Sequence, residues 1–336
     1  MYKLGIDLGG TNIVAGVVDE DYKIIGKGKM KTGATRPAEE IADDMAKAVF
    51  MAIEDAGVSI DDIDSMGIGS PGAIDPVNGV VTYANNLGFN NVHLVEMMKE
   101  RVGKDFYIEN DANAAAYGEF LAGAGKGTNN FVAITLGTGV GGGIIIDGKI
   151  YSGSNYAGGE LGHTVISMNG EMCTCGRHGC WEAYSSATGL INMTKEKIDE
   201  CKASGRATIM TEMVKKDGKV SGKTAFAAMK QGDAAGAEVV DEYISYLACG
   251  LSNMINIFMP EILVIGGGIC NEGDNLLVPL NKSIAGETYG ARTEKVTKIK
   301  TAELGNDAGI IGVYGIGVNL DRAATALPAT QIRLQK

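Results

Sequence analysis

Apolar positions along the chain follow two rhythms, and each change of rhythm marks an element. Lys3 to Leu8 is an apolar run, Gly9-Gly10-Thr11-Asn12 is a turn, and Ile13 to Val18 is a second run. Asp19-Glu20-Asp21 then turns the chain into Lys23 to Gly28. Short runs bounded by Gly, Asn and Asp predict three strands. Pro37 suits the first turn of a helix, and Ile41, Met45, Val49 and Ile53 follow it at helical spacing. Ser65 to Gly69 reads as a short buried strand entering Ser70-Pro71-Gly72. Phe106 to Glu109 reads as another, running straight into a helix over Asp111 to Leu121.

Phe131 to Gly153 then repeats the opening of the chain. Ile6-Asp7-Leu8-Gly9-Gly10-Thr11 aligns with Ile134-Thr135-Leu136-Gly137-Thr138-Gly139, and Val17-Val18-Asp19 with Ile145-Ile146-Asp147. Both stretches read as strand, Gly/Thr turn, strand, acidic turn and third strand, which points to duplication of one α/β unit. Thr194 to Gly236 is helical and polar. Ala237 to Phe258 is a long amphipathic helix with Val240, Tyr243, Ile244, Leu247 and Leu251 on its core face. Glu261 to Ile265 is a buried strand ended by Gly266-Gly267-Gly268; Asn275 to Ile284 is a helix, Val296 to Thr301 an edge-like strand and Ala308 to Ala324 a closing helix. Such alternation argues for an α/β protein with a central sheet in each half.

Composition narrows the function classes. The 336 residues suffice for two medium domains, and 45% apolar with 21% charged residues is ordinary for a soluble globular protein. Met1 to Gly10 carries no targeting pattern, and no stretch of roughly 18 residues lacks polar interruption, so the expectation is a cytoplasmic protein that does not span a membrane. A net charge of −11 argues against a nucleic-acid binder, yet leaves nucleotides open, since phosphates are commonly held by backbone N–H groups and a metal ion. The 49 glycines sit in short clusters, which suits close backbone approach to ligands as well as ordinary turns. Six cysteines form no secreted disulfide pattern: Cys201, Cys249 and Cys270 are scattered, whereas Cys173, Cys175 and Cys180 fall within eight residues.

Five places carry chemistry. At Asp7-Leu8-Gly9-Gly10-Thr11-Asn12, two glycines in a strand–strand turn let N–H groups face a phosphate, and Asp7 is a candidate magnesium ligand, directly or through water. An ordinary acidic hairpin reads the same way. The duplicated turn around Gly137-Thr138-Gly139 and the triplet Gly266-Gly267-Gly268 are further nucleotide candidates; the P-loop pattern is absent, and the first cluster leads into a strand, not the helix a dinucleotide fold requires. In Glu109-Asn110-Asp111-Ala112-Asn113, a strand–helix junction places Asp111 where the macrodipole favours the ionised form a base needs; a simple N-cap is the competing reading. The densest set is Glu160-Leu161-Gly162-His163 followed by Cys173-x-Cys175-Gly176-x-x-Gly179-Cys180-Trp181-Glu182. Three thiolates and the His163 imidazole suit tetrahedral structural zinc, with His178 a competing fourth ligand and a metal-free cysteine cluster the alternative.

These residues together resemble the ROK family of repressors and sugar kinases, and within it the bacterial glucokinases. The match runs from Ile6-Asp7-Leu8-Gly9-Gly10-Thr11 to Ala308-Gly309-Ile310-Ile311-Gly312 and includes Glu160-x-Gly162-His163 and the Cys173–Glu182 pattern. The resemblance implies a duplicated actin-like ATPase (ribonuclease H-like) fold: a small α/β domain of residues 1–114 plus 306–336 and a large one of 115–305, with ATP in the cleft between them. It implies Asp111 as the catalytic base, Asn110, Glu160, His163 and Glu182 as ligands of the sugar hydroxyls, Gly72 as a backbone contact to the sugar, and His163 shared between zinc and sugar. It also implies Mg2+ with ATP, a hexose acceptor with glucose first, and a homodimer or dimer of dimers. N-acetylmannosamine, N-acetylglucosamine, mannose, allose and fructose kinases share these hallmarks, and polyphosphate is a conceivable donor. A sugar-responsive repressor, expected to carry a DNA-binding domain before its first glycine motif, and a non-catalytic sugar-binding protein are the rival readings. The tail after Arg322 has no assigned role.

Overall fold

The computed structural model describes residues 2–313 and 315. The opening runs fold as β1 (Tyr2–Leu8), β2 (Asn12–Val18) and β3 (Ile24–Lys31), an antiparallel meander. Helix α1 (Ala38–Ala56) follows, lays Ile41, Met45, Val49 and Ile53 on β2 and β3, and ends on Gly57 in the left-handed conformation. Next come β4 (Ile63–Ser70), a small three-stranded sheet of β5 (Ala73–Asp75), β6 (Val80–Ala84) and β7 (Phe89–Val92), helix α2 (Leu94–Val102), β8 (Phe106–Asn110) and α3 (Asp111–Ala122). The first main sheet has the order β3-β2-β1-β4-β8, with β1, β4 and β8 parallel.

The second sheet repeats that plan. β9 (Phe131–Leu136) pairs antiparallel with β10 (Val140–Ile146), and β11 (Lys149–Ile150) lies at the edge. Helices α4 (Trp181–Ser185), α5 (Ala187–Ser204), α6 (Ile209–Asp217), α7 (Thr224–Lys230) and α8 (Ala234–Phe258) precede β12 (Ile262–Gly266), which is followed by α9 (Asp274–Glu287) and β13 (Lys298–Thr301). The order β11-β10-β9-β12-β13, with β9, β12 and β13 parallel, has the same pattern of three meandering and two parallel strands. Duplication read from the matching hairpin and turns therefore extends to the whole sheet plan, which is the ribonuclease H-like arrangement expected.

The described residues divide into two compact units: those up to 127, 150–158 and the described ones from Asn306 on, and residues 128–149 with 159–305. A division after residue 114 would cut α3; the helix stays whole because it packs on β4 and β8 of the first sheet. Each unit has its own apolar core, one centred on Leu4, Ile6, Ile41, Met45 and Ile68, the other on Ile134, Trp181, Leu247, Leu251 and Leu263. Residues 308–313 and 315 are helical, as expected for the closing helix; residue 314 and residues 316–336, which include the helix end expected at Ala324 and the tail after Arg322, lie outside the described residues. Among the described residues no helix is long and apolar enough to cross a membrane.

Candidate active site

In the first unit the candidate residues gather at the carboxyl ends of neighbouring parallel strands, where α/β sheets place their ligand sites. Asp7 is the next-to-last residue of β1, and Gly9 to Thr11 make the turn into β2, which starts at Asn12. Gly9 N donates to Asn12 O at 2.9 Å, and Thr32 Oγ1 donates to Gly9 O at 2.6 Å, which fixes the turn while Gly10 and Thr11 stay exposed at its tip. Ser70-Pro71-Gly72 ends β4; Gly72 has φ +101°, and a Cβ there would run into the backbone carbonyl of Tyr83. Only glycine fits that turn without moving the small sheet.

Asn110 and Asp111 end β8 and begin α3. The cap belongs to Asn110: its Oδ1 accepts from Ala112 N at 2.9 Å and Asn113 N at 3.2 Å. Its Nδ2 donates to Gly72 O at 3.1 Å, so one side chain tethers two of the expected sugar contacts and keeps a second N–H for a ligand. Asp111 is the first residue inside the helix, and its Oδ1 accepts from Ala112 N at 2.9 Å. Burial and the nearby Asp111 carboxylate raise Asp7 from its ordinary 3.8 to about 6. Two carboxylates that repel in this way fit a magnesium ion, whose charge would offset the cost of ionising both.

Glu109 escaped the sequence reading. Its Oε1 accepts from Asn110 N at 2.9 Å and Asn113 Nδ2 at 3.0 Å, and burial raises its proton affinity although both donors oppose the shift. It braces the strand–helix junction from behind; its only trace in the sequence is an acidic residue at the end of an apolar strand.

In the second unit, Gly137-Thr138-Gly139 follows β9, and Gly266-Gly267-Gly268 begins at the last residue of the adjacent parallel β12 and leads out of it. Gly267, at φ +105°, passes so close to Leu136 that a Cβ would strike its carbonyl, which brings the two glycine segments together at one end of the sheet. Glu160 is exposed, and His163 and Glu182 are half-buried. Glu182 does not hang in solvent: Oε2 accepts from Val140 N at 3.0 Å, and Oε1 accepts from Thr174 Oγ1 at 3.3 Å. Thr174 carried no signal that distinguished it from other loop residues.

His163, Cys173, Cys175 and Cys180 present one ligand atom each, all within 4.8 Å of one another. Cys173 Sγ lies 3.7 Å from His163 Nδ1, and Cys175 Sγ 3.6 Å from Cys180 Sγ. A tetrahedral ion with metal–sulfur bonds of about 2.3 Å needs sulfur–sulfur edges of roughly 3.8 Å, so this donor set fits a metal ion. His178 is exposed, with Nδ1 2.9 Å from Gly170 O, and stands outside the cluster. The cysteines differ in how readily they ionise. The backbone N–H of Arg177 lowers Cys175, whereas burial, reinforced by its two sister thiols, pushes Cys180 up to about 12.

With this geometry in hand, known proteins give a consistent comparison. The family described as "ROK family" matches residues 3–316. A glucokinase of Streptomyces coelicolor is 37% identical over 309 residues, 92% of this chain and 95% of that protein. A glucokinase of Thermotoga maritima is 36% identical over 314 residues, 93% of this chain and 96% of that protein. Among solved structures, a ROK family glucokinase from Streptomyces griseus in complex with glucose and AMPPNP is 34% identical, with a TM-score of 0.76, over 94% of this chain and 99% of that one.

Proposed function

The chain belongs to the ROK family, and we propose that it is an ATP-dependent hexose kinase that converts glucose to glucose 6-phosphate. The observation that carries this reading is the pair of mutually repelling carboxylates, Asp7 and Asp111, at the strand ends beside an exposed glycine turn. The similarity to glucokinases across nearly the whole chain supports glucose as the acceptor.

In the proposed reaction Asp111 accepts the proton of the sugar's primary hydroxyl. The oxygen attacks the γ-phosphorus in line, and ADP leaves. Such transfers depend on positioning and charge neutralisation more than on covalent chemistry. A magnesium ion at Asp7 would neutralise phosphate charge when bound. The amides of the Gly9–Thr11 and Gly137–Gly139 turns hold phosphate oxygens, and Gly266 to Gly268 flank the nucleoside. Asn110, Glu160, Glu182 and the peptide at Gly72 bind the remaining hydroxyls, which gives a site that rejects analogues missing one. His163 turns Nδ1 toward the cysteines, which leaves Nε2 for the sugar. The metal of the Cys3His set is proposed to be structural zinc. A homodimer or dimer of dimers and a cytoplasmic location complete the proposal.

Coupled detection of ADP over a panel of hexoses and N-acetylhexosamines tests it. Glucose should give the highest kcat/KM with ATP. A preference for N-acetylmannosamine or fructose would move the chain to another member activity of the family, and no ADP with any sugar would remove the kinase reading.

A further inference from the structure

The Gly137–Val140 turn is pinned from outside at three points, all by the short segment that follows the cysteine loop. Ala187 N, the first amide of α5, donates to Gly137 O at 2.8 Å. Thr188 Oγ1 donates to Thr138 O at 2.8 Å. Glu182 Oε2 accepts from Val140 N at 3.0 Å, and it fills the space a Cβ on Gly139 would need. The segment is itself anchored: Trp181 N donates to Thr164 O at 2.8 Å, Ser186 caps α5 by accepting from Gly189 N, and Tyr243 of α8 donates its hydroxyl to Ser185 O at 2.9 Å.

The consequence follows from the planarity of the trans peptide. In one peptide unit the C=O of a residue and the N–H of the next point in opposite directions. Holding the carbonyls of Gly137 and Thr138 against Ala187 and Thr188 therefore aims the N–H groups of Thr138 and Gly139 the other way, away from α5. We infer that Thr188, together with the Ala187 amide and the Glu182 carboxylate, is a positioning residue that fixes the direction of these two N–H donors and thereby sets nucleotide affinity. Thr188 itself does not touch nucleotide or sugar; it acts through Thr138. This inference rests on the proposal that the turn binds phosphate.

Thr188→Val keeps the shape of the side chain and removes the donor, and the residue is exposed, so folding should survive. Calorimetric titration with the magnesium complex of AMPPNP, on protein free of sugar, should show a roughly five- to tenfold weaker Kd, the effect of about one net hydrogen bond. Titration with glucose should be unchanged, the KM for ATP should rise while that for glucose stays, and Thr188→Ser should restore the wild-type nucleotide Kd. A nucleotide Kd within twofold of wild type in Thr188→Val, or an equal loss for glucose, overturns the inference. Hydrogen exchange of wild-type peptides spanning residues 131–140 separates this outcome from failure of the underlying reading. Protection on adding nucleotide with a silent Thr188→Val removes only the latch, whereas no protection removes the turn from the nucleotide site.

Discussion

At the scale of single residues, the roles proposed for Asp111 and Asp7 each make a separate prediction. In local sequence a helix cap competes with the base as a reading of Asp111, but Asn110 fills that role, so the carboxylate of Asp111 is not needed to start α3. Asp111→Asn keeps the shape and removes the proton acceptor. Its kcat should fall by about 10²–10⁴, the usual worth of a general base, while glucose binding by titration stays near wild type; a kcat within a few-fold of wild type would dismiss it as the base. Asp7 predicts a pH effect on stability. Its folded pKa of about 6 lies above its ordinary 3.8, so its contribution is present in full below about pH 4 and is lost as pH rises through 6. Asp7→Asn should therefore stabilise the magnesium-free protein by on the order of 2–3 kcal/mol above about pH 6, at 1.36 kcal/mol per unit, with the gain vanishing toward pH 4. Denaturant titrations across that range check it, and a pH-independent difference contradicts it. The residues that carry glycine turns, thiols or an Asn-Asp pair were legible because the chemistry restricts the residue type. Glu109, Thr174 and Thr188 were not, because hydroxyls and carboxylates that brace a loop obey no spacing in sequence; only the fold brings Thr188 to Thr138.

At the scale of elements, the strand–helix junction 109–113 does the most with the fewest residues. Asn110 caps α3 and tethers Gly72 O, and two variants separate those functions. Asn110→Ser keeps a good cap but is too short for the tether, whereas Asn110→Ala loses both. The Ala variant should be less stable than the Ser variant by about 1 kcal/mol, the usual value of an N-cap, while both raise the glucose KM. Denaturant midpoints and steady-state kinetics read the two effects, and equal midpoints would take the cap from Asn110. Most elements announced themselves by local rhythm: the β1–β3 meander, its β9–β11 copy, α1 and α8 fall within a few residues of the expected bounds. The β5–β6–β7 sheet and α2 did not. β7 is only Phe89-Asn90-Asn91-Val92, with two exposed asparagines, and α2 is nine residues long with no side-chain cap. Strands that short acquire their identity from their ladder partners, which a one-dimensional pattern does not record.

At the scale of the whole molecule, the two sheets share a plan, yet only the second unit carries the cysteine loop. Residues 159–180 contain no strand and one short helical turn, Leu161–His163, and are held by turns and two isolated antiparallel bridges, Val165 with Cys180 and Met172 with His178. The loop's ends converge on the four candidate ligand atoms, and the same loop runs through Cys180 into the segment that grips Gly137 and Thr138. A bound ion would therefore contribute to local order well beyond its four ligands, as structural metals do when the site does not form without them. Cysteines bind metals as thiolates, and Cys180 holds its proton up to about 12 in the metal-free chain. Metal uptake should release protons and weaken steadily as pH falls. Cys175→Ser should lower the zinc content, measured by elemental analysis, from about one per chain toward zero. In hydrogen-exchange experiments, that variant and chelator-treated wild type should lose protection in residues 159–190 and in 131–140. Peptides from β1, β4 and α3, in the unit that holds no cysteine, should keep theirs. Uniform loss across both units would mean that the ion stabilises the chain globally instead of bracing this loop. Full protection in a zinc-free wild type would mean that the cysteines hold the loop as thiols alone.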